Sequence, residues 1–485
     1  MACTTVLVGK NASYNGATFI ARNEDSPSGE FCAKRFIVVD GKEQPVKYKT
    51  VLSKQEIELP ENPMRYTSTP NADKKDGVWA AHGVNEVDVG MTATETIASN
   101  ERVLGADPLL KKGGIGEEDM NLLVLPYVKS ARQGVERLGM LLEKYGTYEM
   151  NGIAFSDKDE IWWLESIGGH HWMAKRVPDD MYVVMPNQLG IDTFDFTDAY
   201  GAKQNYMCSA DLQKFMMENH LNLDLKNNND VINPRLVFGT HDDADHVYNT
   251  PRAWFIERYF NPKTYKWDGP DADFKPDSDD IPWALVPEHK ITIEEMKYVL
   301  SSHYNGTELD PYGSYGPKDM RGAYRSIGIN RNDSLALIEI RGDMPESCRS
   351  IQWMAFSSNA FNAMAPFYTN ILKTPHYLSY VPKECTTESF YWASRLIAAL
   401  SDGAYKKCQA HIERYQLAVA SRSHEILNKY DKLISAQTGN GGRELCEKAN
   451  GEVAAMLKEE TSKTLNKVLY ESSCLMKNSY SRSDA

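Results

Sequence analysis

Four short β-prone runs, at residues 152–155, 160–165, 171–174 and 182–184, follow one another with gaps of only turn length. That spacing constrains the fold more than any other feature. It leaves no room for a crossover helix between successive strands, so an antiparallel meander is expected rather than repeating βαβ units. The N-terminal stretch reads the same way. Runs at 5–8 and 18–21 flank a loop at 11–16 that is rich in turn formers, a further run at 35–40 ends at Gly41, and 78–91 can supply another pair. A helical pattern at 117–145 opens with acidic residues and would close at Gly146, although Pro126 disturbs its first turns.

Residues 205–335 are mixed, with helices expected at 211–220 and 293–304 and a polar, Pro/Asp-rich surface loop at 262–289. Strands are expected again at 335–341 and 351–356. From residue 386 the pattern turns helical, with long helical patterns at 404–434 and 443–475. The expected architecture is therefore an α+β core over 1–385 with a helical region, 386–485, packed on it rather than forming an independent domain.

Composition narrows the function classes. The 485 residues hold 54 Lys+Arg against 67 Asp+Glu, a formal charge of −13, which argues against a broad nucleic-acid surface. The longest uncharged stretch, 351–372, contains Gln352, Asn359, Asn362, Pro366 and Asn370 and is too polar to span a bilayer. No signal peptide pattern opens the chain. Eight cysteines without a C-x-x-C pair support neither a zinc ribbon nor a disulfide scaffold, so a reduced, cytoplasmic protein is expected.

Most standard catalytic motifs are missing: there is no G-x-x-x-x-G-K-[ST], G-x-S-x-G or H-E-x-x-H. The run from His241 to His246 could hold a metal, but no second ligand group accompanies it and a solvated acidic loop is the expectation. His170-His171 could offer a base to a cysteine. Neighbouring strand residues face opposite ways, so at most one should face a given site.

Cys3 stands apart because of its position. A thiol titrates near ~8.5 and an α-amine near ~7.7–8.0. Were the two preceding residues removed, Cys3 would carry nucleophile and base together. Otherwise it is a small buried residue opening a strand. A hairpin of the first two strands would return Arg22 and Asp25 beside it, where Arg22 can stabilise a thiolate and Asp25 can hold the amine.

Cys3-Thr4-Thr5, the run from Ala21 to Asp25, and Gly83-Val84-Asn85-Glu86 together resemble the cysteine N-terminal-nucleophile (Ntn) hydrolases, a group that includes penicillin V acylase and bile salt hydrolase. Within that group the chain is similar to the dipeptidases of peptidase family C69. Gly116-Glu117-Glu118-Asp119, Gly168-Gly169-His170-His171-Trp172 and the run from Tyr248 to Trp254 support this, and the likeness extends to about residue 475.

The resemblance implies a four-layer αββα fold with two packed antiparallel sheets. It implies hydrolysis of unsubstituted dipeptides through a thioester on Cys3, after removal of Met1 and Ala2, with neither cofactor nor metal. It assigns Arg22 to the thiolate, Asp25 to the α-amine, and the Asn187 side-chain amide to the oxyanion. Arg252 becomes the second arginine beside the nucleophile. Glu95 is a candidate contact for the substrate ammonium, and a homo-oligomer through the helical C-terminal third is expected. The alternatives are an N-acyl amide acylase of the same fold group, or a non-enzymatic interaction protein like the secernins, in which the N-terminus stays unprocessed.

Overall fold

The computed structural model describes residues 3–75, 77–226, 228–437 and 441–477, apart from the side chains of 93–95. The chain opens with β1 (Thr4–Val8), β2 (Thr18–Asp25), β3 (Ile37–Val39), β4 (Lys47–Lys49), β5 (Glu56–Glu58), β6 (Tyr66–Ser68), β7 (His82–Asn85) and β8 (Gly90–Thr96). Helices α1 (Glu101–Ala106), α2 (Glu117–Val124) and α3 (Ala131–Tyr145) follow. Next come β9 (Asn151–Ser156), β10 (Ile161–Ile167), β11 (His171–Val177) and β12 (Tyr182–Met185).

The middle of the chain holds β13 (Phe194–Asp195), α4 (Phe196–Tyr200), β14 (Tyr206–Cys208), α5 (Leu212–Glu218) and β15 (Val231–Ile232). It continues through α6 (Pro234–Phe238), α7 (Asp243–Tyr248), α8 (Thr250–Phe260), β16 (Ala284–Leu285) and α9 (Ile293–Leu300). Strands β17 (Asn332–Ile340), β18 (Ser350–Phe356) and β19 (Ala365–Tyr368) precede α10 (His376–Ser379), α11 (Phe390–Asp402), α12 (Tyr405–Ser435) and α13 (Gly441–Cys474). No helix among the described residues is long and apolar enough to cross a membrane.

Among the described residues fifteen strands form two large sheets, ordered β16-β12-β1-β2-β17-β18-β19 and β14-β11-β10-β9-β8-β7-β6-β3. All pairings within them are antiparallel. The interior strands of both sheets, such as β1 and β10, are buried on both faces, which explains why they read as largely apolar runs. In β1, Leu7 points into one cluster while Val6 and Val8 point into another. In β10, Trp163 and Ile167 face the first of these clusters, and Trp162 and Leu164 face a third. The cluster they share, with Leu7, Ile20 and Ile338 from one sheet and Ala154, Trp163 and Met173 from the other, is the contact between the sheets. The third cluster joins the eight-stranded sheet to α2 and α3. The largest joins the seven-stranded sheet to α8, α9 and α11–α13.

The expected meander needs one correction. β9, β10 and β11 form it, but β12 leaves for the other sheet and pairs with β1. Its side chains divide between two cores, Val183 toward the inter-sheet cluster and Tyr182 toward the helices, so its periodicity alone could not assign it to a sheet. The single helix expected over 117–145 is split into α2, a 3-10 turn at Leu125–Tyr127 containing Pro126, and α3, which Ser130 caps by accepting from Gln133 N–H. Helix α8 went unanticipated, although Pro251 in its first turn is a favoured start signal.

Close helix–sheet packing in the third cluster rests on Gly134 of α3. A methyl group there would lie 2.4 Å from the buried ring of Phe155. Alanine gains up to about 1 kcal/mol in helix propensity, but forcing apart a packed interface costs about 1–3 kcal/mol. Gly134→Ala should therefore lower the unfolding free energy, by up to about 2 kcal/mol in urea titration, the reverse of what helix propensity alone predicts.

Candidate active site

The β1–β2 hairpin pairs Thr4 with Asn23 and Thr5 with Arg22. It brings the residue before β1, Cys3, against the side chain of Arg22. Both are sealed from solvent, and Arg22 Nη2 donates to Cys3 Sγ at 2.8 Å. The same nitrogen donates to Glu117 Oε1 at 3.0 Å, and Nη1 lies 3.4 Å from the Ala81 carbonyl oxygen. Glu117 opens α2, where a carboxylate is favoured by the helix N-terminus. Its own N–H donates to Glu149 Oε1 at 2.7 Å. Burial, together with repulsion from Glu117, pushes the Glu149 carboxyl up to about 7.

A second set of contacts holds the main chain of Cys3. Because β12 pairs with β1 (Thr5 opposite Met185), the turn after β12 carries Asn187 to the site. Asn187 Oδ1 accepts from Cys3 N–H at 3.1 Å and from Arg252 Nη2 at 2.8 Å, while its Nδ2 donates to the Thr96 carbonyl at 2.9 Å. Arg252, in the first turn of α8, is fully buried. Its Nη1 donates to the Cys3 carbonyl and, at 2.7 Å, to Thr4 Oγ1. Its Nε donates to the Tyr248 carbonyl and its Nη2 to Asn249 Oδ1, each at 2.7 Å. Asn249 in turn donates to the Asn187 carbonyl at 3.1 Å and to Asp245.

Thus part of the 241–246 run has a structural use: Asp242 caps α7 and Asp245 holds Asn249. Sequence reasoning missed Asn249, Asp245 and the Glu117 countercharge. The first and last of these sit in segments quoted for the family resemblance, but nothing local signals their partners.

Asp25 lies at the end of β2 with no solvent exposure, bonded by Arg325 and by Asn332 Nδ2. Burial works against the Arg325 charge, but Asp25 and Tyr248 more than compensate and raise its pKa. The Tyr248 ring is faced by both Arg252, at 5.3 Å, and Arg325, at 5.2 Å, and this links the Asp25 pair to the Cys3 contacts. The side chain of Glu95, and Met1 and Ala2, lie outside the described residues.

The expectation that His170 and His171 face opposite ways is overturned, since both rings bond Asp107, at 2.9 and 2.8 Å. His170 lies in the turn after β10 rather than on a strand, so strand alternation does not apply to it.

The segment carrying Asn187 is itself braced. Glu165 of β10, fully buried, accepts from Gly190 N–H at 2.7 Å, Ile191 N–H at 3.3 Å and Trp163 Nε1 at 3.0 Å. Burial nevertheless outweighs these bonds and pushes its carboxyl up to about 7.

A buried cysteine gripped by one arginine at its sulfur and by another at its carbonyl, at the head of an interior strand of one of two large antiparallel sheets, is a distinctive arrangement. The chain matches the model for "Peptidase family C69" over residues 2–418 and belongs to that family. It is 52% identical, over the full length of both chains, to a protein named "Dipeptidase" from Bifidobacterium longum (strain NCC 2705). It is 48% identical, again over both full lengths, to "Probable dipeptidase A" of Streptococcus pyogenes serotype M3 (strain SSI-1). It is 42% identical to "Dipeptidase A" of Lactobacillus helveticus, covering 98% of this chain and 97% of that one.

Two stability outcomes follow. Asp25→Asn leaves Arg325 buried without its countercharge and should destabilise the protein by about 3–5 kcal/mol in chemical denaturation. Glu165 is protonated more readily in the folded chain than in the unfolded one, so it costs nothing below its ordinary value of 4.5 and its full penalty above about 7. At ~1.4 kcal/mol per unit, the penalty is about 3 kcal/mol. Glu165→Gln should flatten the decline in unfolding free energy between those pH values, as read from urea titrations across that range.

Proposed function

We propose that this chain is a cysteine dipeptidase that hydrolyses unsubstituted dipeptides through a thioester on Cys3, exposed as the N-terminal residue by loss of Met1 and Ala2. The observation that carries the reading is the buried contact between Arg22 Nη2 and Cys3 Sγ, in a chain whose relatives are named dipeptidases.

In this mechanism the α-amine of Cys3 takes the thiol proton and Arg22 stabilises the thiolate. The sulfur attacks the scissile carbonyl carbon, and an amide N–H of Asn187 serves the oxyanion, where charge appears only in the transition state. Collapse breaks the C–N bond as the Cys3 ammonium protonates the departing amine, which releases the C-terminal amino acid. Water then attacks the thioester while the amine accepts its proton. The N-terminal amino acid leaves and the thiol is restored. Arg252 fixes the Cys3 main chain through its carbonyl oxygen and Thr4. Asp25, on the same strand as Arg22, is assigned to orienting the amine, and Glu95 to the substrate ammonium.

The two sheets with α2 and α3 on one side and α8, α9 and the C-terminal helices on the other support a four-layer αββα arrangement. In that reading 386–485 is an elaboration of one core.

The test is hydrolysis of several dipeptides and of an N-acylated amino acid by the purified chain and by Cys3→Ala, with the intact mass of each. Dipeptide turnover should fall roughly 10⁴-fold or more in the variant, and the active chain should begin at Cys3. Undiminished turnover in Cys3→Ala would sink the mechanism. Preference for the N-acyl substrate would favour an acylase, and retained Ala2 with no hydrolysis a secernin-like interaction protein.

A further inference from the structure

A cavity of about 310 Å³ opens where α9 meets α12. Its inner wall is apolar and buried, made by Ile293, Trp353, Met364 and Ile412. None of the residues described around Cys3 lines it. Among the described lining residues the one Lys or Arg is Lys297, a part-buried residue whose Nζ donates to Ser301 Oγ at 2.6 Å and to the Asn359 carbonyl at 2.8 Å. Among the described residues no ion pair joins Lys297 to a carboxylate.

Among the described residues, neither carboxylate on the cavity lining pairs with Lys297. Glu294 pairs with His424 at 2.7 Å, and Glu413 accepts from Gln409 at 2.9 Å. An ammonium has three N–H groups, and both acceptors of Lys297 are neutral. With no countercharge, burial alone brings its pKa down to about 7.

A lysine held against an apolar wall without an anion is expensive. A concave apolar site with one well-placed polar group is the usual form of a small-molecule pocket. The charge that is missing is negative, and the surface beside it is hydrocarbon. We propose that this cavity binds a monocarboxylate with an apolar body, its carboxylate accepting from Lys297 Nζ and its hydrocarbon lying against Ile293, Trp353, Met364 and Ile412. The site is independent of the chemistry at Cys3.

Decanoate, used below its micellar concentration, is the probe, with 1-decanol and decylamine as neutral and cationic controls of the same chain length. Calorimetry and thermal unfolding of the full chain should show decanoate binding and raising Tm, decanol binding at least ~10-fold more weakly, and decylamine not binding. Lys297→Met should bring decanoate down to the level of decanol, while Lys297→Arg keeps the preference. Ile412→Trp, which fills the cavity and keeps the charge, should abolish binding of both. Equal affinity for decanoate and decanol in the unaltered protein, or decanoate binding unchanged in Lys297→Met, would overturn the proposal. The first of these needs no variant, so the test survives if Lys297→Met fails to fold.

Discussion

Two guanidinium groups sealed from water, Arg22 and Arg252, organise the centre of this molecule. A buried cation is costly unless its donors and its charge are met, and meeting them, in whole or in part, draws in distant parts of the chain. Arg22 needs Glu117, so the first turn of α2 comes to the open end of the β1–β2 hairpin. Arg252 takes the Tyr248 carbonyl, Asn249, Asn187, Thr4 and the Cys3 carbonyl, so α8, the turn after β12 and the start of β1 converge. Cys3 lies where the two sets meet. Its sulfur faces one arginine and its main chain the other.

That precision depends on where the strands sit. β1 and β2 are interior strands, each flanked on both edges, and their faces are covered by two different cores. A group built on such elements is held more closely than one on a loop. The loop residue among them, Asn187, is correspondingly braced from below by Glu165, whose single oxygen Oε1 holds Gly190 and Ile191. Even so, that brace is a carboxylate kept near its titration point. The support of the site is thereby coupled to the protonation of a residue on the opposite sheet.

What the sequence made legible follows the range of the interactions. Cys3 and Arg22 are neighbours because of a short hairpin, and turn formers between two β-prone runs announce that locally. The long C-terminal helices were equally visible as long helical patterns. Asp25, by contrast, finds Arg325 some 300 positions away, and Glu117 finds Arg22 across 95. No local pattern encodes such partners. Asn187 and Arg252 were reachable only through the family resemblance. β12 could not be assigned to its sheet because a strand buried on both faces carries no polar side to orient it. Lys297 sits in a helix expected over 293–304 that ends at Leu300, yet its lack of a counterion among the described residues is a property of the packed cavity, not of the segment.

The charges around Cys3 bear on why processing matters in the proposed mechanism. Arg22 already meets Glu117 in an ion pair, and Glu149 adds a carboxyl that is half ionised near neutrality. An anion on the Cys3 sulfur therefore meets an Arg22 charge that Glu117 already balances in part, while Arg252 faces the Cys3 main chain rather than its sulfur. A peptide nitrogen at Cys3 contributes no charge to offset it. An α-amine does, because protonation on taking the thiol proton places a cation on the same residue as the thiolate. The pair is formed together and neutralised together when the amine returns its proton to the leaving group. On this reading Arg22 alone does not activate the thiol. It orients the sulfur and shares its charge, and the decisive countercharge comes from the N-terminus that cleavage creates.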